Sequence, residues 1–129
     1  MTSAPSILIV ACDPYLAGIY GRKFELDGWE VEVAESLSEG ERKAVKIRPS
    51  IILLDADCAA DISEEVRKLR SMPTILNSKI VILAEMGDRS EIERSLQAGA
   101  SEYLLVGHFV PQEAVSKMKK LITKVDSSQ

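Results

Sequence analysis

Asp55 is the residue whose place in the chain first suggests chemistry. It follows four consecutive apolar residues, Ile51 to Leu54. A short all-apolar run reads as a strand buried on both faces of a parallel sheet. The carboxyl ends of such strands are where open α/β sheets bind ligands, so an acid there is a candidate functional group. A second apolar run, Ser6 to Val10, leads into Ala11, Cys12, Asp13 and Pro14. Asp57 and Cys58 follow Asp55 closely, and His108 falls on a loop at the same edge. Sulfur, imidazole and carboxylate together could bind a transition metal or act as a thiol sensor. Their spacing matches no zinc motif, and a small buried thiol is the commoner fate of such cysteines.

The elements that position these residues follow from periodicity and capping. Asp13 can cap a helix over 14–27, with Pro14 in its first turn and Gly28 as its stop. Leu16, Ile19, Tyr20 and Phe24 form its inward stripe. The segment 30–34, EVEVA, alternates charged and apolar residues and suits an edge strand. Ser36 can cap a second helix through Ile47, which Pro49 ends. After the strand ending at Asp55, residues 57–63 read as a loop, 64–71 as a short helix and 73–78 as a connector. Residues 79–83 form a further apolar strand, ending in Ala84. Residues 90–98 read as a helix with Ile92 and Leu96 inward, and 102–105 as a fifth strand. Pro111 opens a last helix through Val125, with Val115, Met118, Leu121, Ile122 and Val125 inward, and the tail DSSQ frays. Five strands alternating with five helices give a parallel sheet covered on both faces. Right-handed crossovers and the edge character of the second strand favour the order 2-1-3-4-5.

Composition narrows the function. The chain has 129 residues, 46% of them hydrophobic, enough for one domain with a proper core. A net charge of −4 argues against nucleic acid or an anionic membrane as a partner. There is no apolar stretch long enough to span a membrane and no basic-then-apolar leader at the N-terminus, so a cytoplasmic setting is expected. In that setting the two cysteines are expected as free thiols rather than a disulfide.

Three segments carry a family resemblance over roughly Ser6 to Val125. ILIVACDPYLAGIY resembles the opening strand and helix of a response-regulator receiver domain. RPSIILLDAD resembles its strand bearing the phosphoacceptor aspartate, and QAGASEYLLVGHFVPQEAV resembles its closing helix, strand and helix. The resemblance implies a flavodoxin-like doubly wound (βα)5 domain over residues 6–125, with 1–5 and 126–129 as tails. It implies a part in a two-component phosphorelay, in which a histidine kinase supplies a phosphoryl group to an aspartate in the presence of Mg²⁺. The residue at the acceptor position is Asp55.

The residues around it depart from the family pattern. Ala11 and Cys12 stand where the family places a metal-holding acidic pair, Ala84 where it places a Thr or Ser, and Val106 where it places a Lys. Phosphoryl transfer to a carboxylate depends on positioning and on neutralising charge on the equatorial oxygens. Cys12 offers a soft sulfur to a hard ion, Val106 offers no cation, and Ala84 no donor. Asp13 and Asp57 are the residues that could supply metal oxygens instead. Their simpler roles are a helix cap and a solvated loop acid. Mg²⁺ binding is therefore expected to be weak or absent, with little gain in melting temperature.

Tyr103 matches the family's switch aromatic; with Ala84 in place of the hydroxyl, the ring is expected either to stay inward without phosphorylation or to be an ordinary half-buried strand aromatic. The resemblance further implies protein partners, a histidine kinase or an effector, and a homodimer through the fourth helix, fifth strand and fifth helix. Arg89, Arg94, Lys117 and Lys119 could serve that face or simply be solvated. Two readings follow: a receiver-like module acting by protein contact with impaired phosphorylation, and a working phosphoacceptor. Neither is an enzyme beyond self-phosphorylation.

Overall fold

Apolar runs bounded by turn and cap residues dictate the element order. The computed structural model describes residues 4–106 and 110–127, with side chains through Thr123. Five strands, β1 (Ser6–Val10), β2 (Glu30–Ala34), β3 (Ile51–Asp55), β4 (Lys79–Ala84) and β5 (Glu102–Leu105), alternate with helices. The helices are α1 (Pro14–Leu26), α2 (Leu37–Ile47), α3 (Ile62–Arg70), α4 (Arg89–Ala98) and α5 (Pro111–Ser127). The sheet is parallel throughout, in the order β2-β1-β3-β4-β5, as the sequence predicts. His108 and the end of the DSSQ tail lie outside the described residues, as does the side chain of Val125.

The central strands are apolar because both faces are covered. Ile51, Ile52, Leu53 and Leu54 are all essentially inaccessible to solvent. One face of the sheet packs on α1 and α5, where Tyr20, Phe24, Trp29, Val115 and Met118 join Ile7, Ile9 and Leu53. The other face packs on α2 and α3, through Ala44, Ile62, Val66 and Leu69 against Leu8, Ile52 and Ile80. Phe24 and Trp29 meet edge to face, with ring centroids 4.9 Å apart. Parallel register sets the site: Val10 pairs with Leu54, so β1 and β3 release their chains side by side.

Two helices differ in start or facing from the sequence reading, and α5 runs on to Ser127, two residues into the tail expected to fray. α3 starts at Ile62, inside the segment expected as loop, because Asp61 caps it by accepting from the Ser63 amide at 3.0 Å. Ser63 Oγ also donates to Asp61, at 2.6 Å. α4 is rotated from its expected pose: Leu96 points outward, 43% exposed, and Ser95 is the buried residue. α4 packs on α3, and a serine turned inward allows the two helices a closer approach than a leucine would.

Candidate functional site

Asp55 ends β3 with its side chain buried, only 6% of the residue being exposed. A single 3-10 turn, Ala56–Cys58, follows at once, and the Asp57 amide folds back to donate to Asp55 Oδ1 at 3.0 Å. Burial raises the Asp55 pKa above the ordinary carboxylate value. The Asp57 amide opposes this, repulsion from Asp57 and Asp13 adds to it, and the Cys12 amide opposes it more weakly. The net direction is upward, because losing water costs the ionised form more than two amides return.

A cavity of about 220 Å³ opens beside Asp55. Its walls include the acids Asp13, Asp57 and Glu85, together with Cys12, Ala84 and Val106. The structure thus brings Asp55, Asp13, Asp57, Cys12, Ala84 and Val106 to one place, as their strand-end positions predict. Ala11 is buried in the core just below. No Lys, Arg, Ser or Thr lines this cavity among the described residues.

The hard oxygens that Mg²⁺ takes would come here from Asp13, Asp55 and Asp57. The Asp13 carboxylate caps α1, accepting from the Tyr15 amide at 3.0 Å. Asp55 Oδ1 is engaged by Asp57, and Cys12 presents sulfur. Among the described residues no three or more His, Cys, Asp or Glu side chains converge as a metal site.

The cysteines require a correction. They were expected as free thiols, but Cys12 and Cys58 are joined in a disulfide, with Cα atoms 5.6 Å apart. That separation lies within the ordinary range for a bridge. Compartment arguments weigh surroundings, not geometry. The parallel register brings the ends of β1 and β3 together, and the 3-10 turn carries Cys58 back toward Cys12. The Cys12 amide also donates to Cys58 Sγ, at 3.0 Å.

On the other side of the same turn lies a second cavity, of about 200 Å³. Asp57 and Asp61 line it with Met86, Arg94, Ser95 and Tyr103. Tyr103 is half-buried and packs at the edge of the core cluster on the α2 and α3 face of the sheet. A methyl group built on Gly87 would lie 2.6 Å from the Tyr103 hydroxyl, so the ring rests directly on that glycine. Burial, then repulsion from Glu91, Asp88 and Asp57, raises the Tyr103 pKa.

The surface cations have local partners. Arg89 lies 3.9 Å from Glu93, Arg94 donates to Ser90 Oγ, and Lys119 lies 3.7 Å from Asp27. A further titratable pair was missed in the sequence. Glu65 on α3 is buried and hydrogen-bonded to Glu41 on α2, which ion-pairs with Lys68 at 3.2 Å. Helix spacing within α3 gave no signal for it, because the partner comes from another helix.

Several solved structures with this architecture are receiver domains or response regulators. A CheY-like response regulator receiver domain protein from Methanospirillum hungatei covers 98% of this chain and 100% of its own, with TM-score 0.88 and 23% identity. The fold is that of a response-regulator receiver domain. A putative response regulator from Chloroflexus aurantiacus is 27% identical, with TM-score 0.84 over 94% of this chain and 99% of its own. Among curated proteins, the DNA-binding dual master transcriptional regulator RpaA of Synechocystis sp. is 24% identical over 123 residues. The match takes in 95% of this chain and 51% of RpaA, so the chain spans about half the length of the curated relatives it matches. No family model matches. Among the described residues of this receiver fold, no helix is long and apolar enough to cross a membrane.

Proposed function

We propose that this receiver domain is an atypical signalling module of a two-component system, one that acts by protein contact and whose Mg²⁺-dependent phosphorylation at Asp55 is impaired. The observation that carries this reading is the chemistry of the cavity beside Asp55. It gathers four carboxylates and offers neither a cation nor a hydroxyl. A phosphoryl donor brings further negative charge into that space. The nucleophile and donor then repel each other, and the transition-state charge has no side chain to meet it. A charge-assisted hydrogen bond of the kind a Lys at Val106 would give is typically worth about 1.5–3 kcal/mol.

Asp55 is the acceptor-equivalent residue, and Ala11, Cys12, Ala84 and Val106 are the positions at which the site has lost its usual partners. Tyr103 rests on Gly87, so in the bridged form the face formed by α4, β5 and α5 keeps one conformation whether or not Asp55 carries a phosphoryl group. That face is the docking surface for a kinase, an effector or a second copy, in the cytoplasm.

The second reading, a working phosphoacceptor, is favoured by one observation. Asp13 and Asp57 flank Asp55 in the same cavity, and a rotated Asp13 that gave up its cap could present oxygens to a cation. Incubation with acetyl phosphate and Mg²⁺, followed by intact-protein mass measurement, separates the two. No phosphoryl adduct is expected. An adduct that disappears in Asp55→Asn would establish the second reading.

A further inference from the structure

We propose that Cys12 and Cys58 form a reversible thiol–disulfide site that serves as the input of this domain, its oxidation state setting how the turn after β3 holds Asp55. The site rests on the receiver reading only for what lies downstream. Its chemistry stands on the bridge itself.

These are the two cysteines of the chain, and the fold brings both to the mouth of the acid cavity. Cys12 is exposed and Cys58 partly so, which is what exchange with an outside thiol requires. Neither sits in the apolar core. The bridge also brackets Asp55. Cys58 ends the 3-10 turn whose middle residue, Asp57, donates its amide to Asp55 Oδ1. Cys12 supplies the other amide that favours the ionised carboxylate. The bridge therefore ties together the two backbone segments that hold this side chain. The same turn continues, through Ala59 and Ala60, into the wall of the Tyr103 cavity. A shift of the turn is felt at Asp55 on one side and at Tyr103 on the other.

The exchange is balanced as follows. The Cys12 thiolate, more exposed, attacks one sulfur of a small-molecule disulfide. That S–S bond breaks, a mixed disulfide forms on Cys12, and one thiolate leaves. The Cys58 thiolate then attacks the Cys12 sulfur and displaces the second thiolate. Two cysteine thiols are oxidised, one external disulfide is reduced to two thiols, and the two cysteine protons pass to the thiolates released. Reduction runs in reverse and takes a dithiol as reductant. A dithiol that closes to its own ring disulfide, such as dithiothreitol, supplies the two electrons and completes the balance.

The test equilibrates the whole chain in buffers of reduced and oxidised dithiothreitol and reads both thiol content and amide spectra. We expect one reversible two-electron transition, with amide shifts at Asp55, Asp57 and Tyr103 that follow it and that are lost in Cys12→Ser and in Cys58→Ser. Four results would overturn the proposal: thiols that stay reduced across the series, a bridge that no dithiol opens, shifts confined to the neighbours of the two cysteines, or shifts that persist in the cysteine variants. Should one serine variant fold poorly, the other, or Cys12→Ala, makes the same comparison. Adding beryllofluoride to each redox form probes Asp55 separately, so failure of the receiver reading leaves the thiol result intact.

Discussion

Two cavities of nearly equal size flank the turn after β3, about 220 Å³ beside Asp55 and about 200 Å³ beside Tyr103. They share Asp57 but differ in chemistry. The first is acids against sulfur and small apolar walls, with no cation among the described residues. The second sets Arg94 and the Tyr103 hydroxyl among Asp57, Asp61 and Glu91, so opposite charges meet. The difference teaches that the turn after β3 separates two unlike electrostatic environments. Among the described residues, the cavity beside Asp55 holds no side chain that could neutralise added negative charge. The cavity beside Tyr103 holds an aromatic ring and a cation.

The largest effect is expected from the acid side, where the bridge closes a loop spanning 46 positions of sequence. Chain entropy assigns such a bridge about 3–4 kcal/mol. Reduction, or the double change Cys12→Ser and Cys58→Ser, should lower the melting temperature by roughly 10 °C. Calorimetry with and without reductant measures this, and the double variant should show no response to reductant.

Next in size is a pH effect away from both cavities, which serves as a control on reading the acid side. Burial, then a hydrogen bond and repulsion from Glu41, raises the Glu65 pKa from 4.5 to about 7. A carboxyl whose folded pKa exceeds its unfolded value holds its proton more tightly in the folded chain. Its contribution is therefore full at low pH and is lost as pH rises from 4.5 through about 7. Glu65→Gln should flatten that slope and stabilise the domain at pH 8 by roughly 2–3 kcal/mol relative to the parent, seen in urea titrations at several pH values. Asp55 adds a slope of the same sign, since its pKa is also raised. A slope unchanged in Glu65→Gln would return the whole pH effect to the Asp55 cavity.

The smallest effect sharpens the account of the Tyr103 side. Gly87→Ala places a methyl group where the Tyr103 ring now rests. The ring must move outward, at a cost of about 1–2 kcal/mol. Tyr103 ring resonances should shift toward exposed values while those of the Asp55 neighbours stay in place. Movement at both would mean that the two cavities are not independent in the bridged form.

Much of this was legible in the sequence, for physical reasons. Buried parallel strands must be apolar on both faces, so SILIV, IILLD and KIVILA announce themselves, and the edge strand shows its wet side as EVEVA. The strand order follows from crossover handedness, and it gathers Asp13, Asp55, Ala84 and Val106 without side-chain detail. The start of α3 was missed because Asp61 caps through its own neighbour, Ser63, a signal easily read as a turn. The rotation of α4 was missed because periodicity assigned Leu96 inward, whereas packing against α3 prefers Ser95. The Glu41–Glu65 pair and the Cys12–Cys58 bridge depend on contacts between elements far apart in sequence, which no spacing rule encodes.

The measurement that tests the central claim most directly is an amide chemical-shift titration with millimolar Mg²⁺, followed by beryllofluoride as a phosphoryl mimic. The account predicts that the spectrum stays unchanged around Asp55, Ala84 and Tyr103. Shifts that begin at Asp55 and spread to Ala84 and Tyr103 would contradict it and would mean that Asp13 or Asp57 has taken over the role of the missing acidic pair.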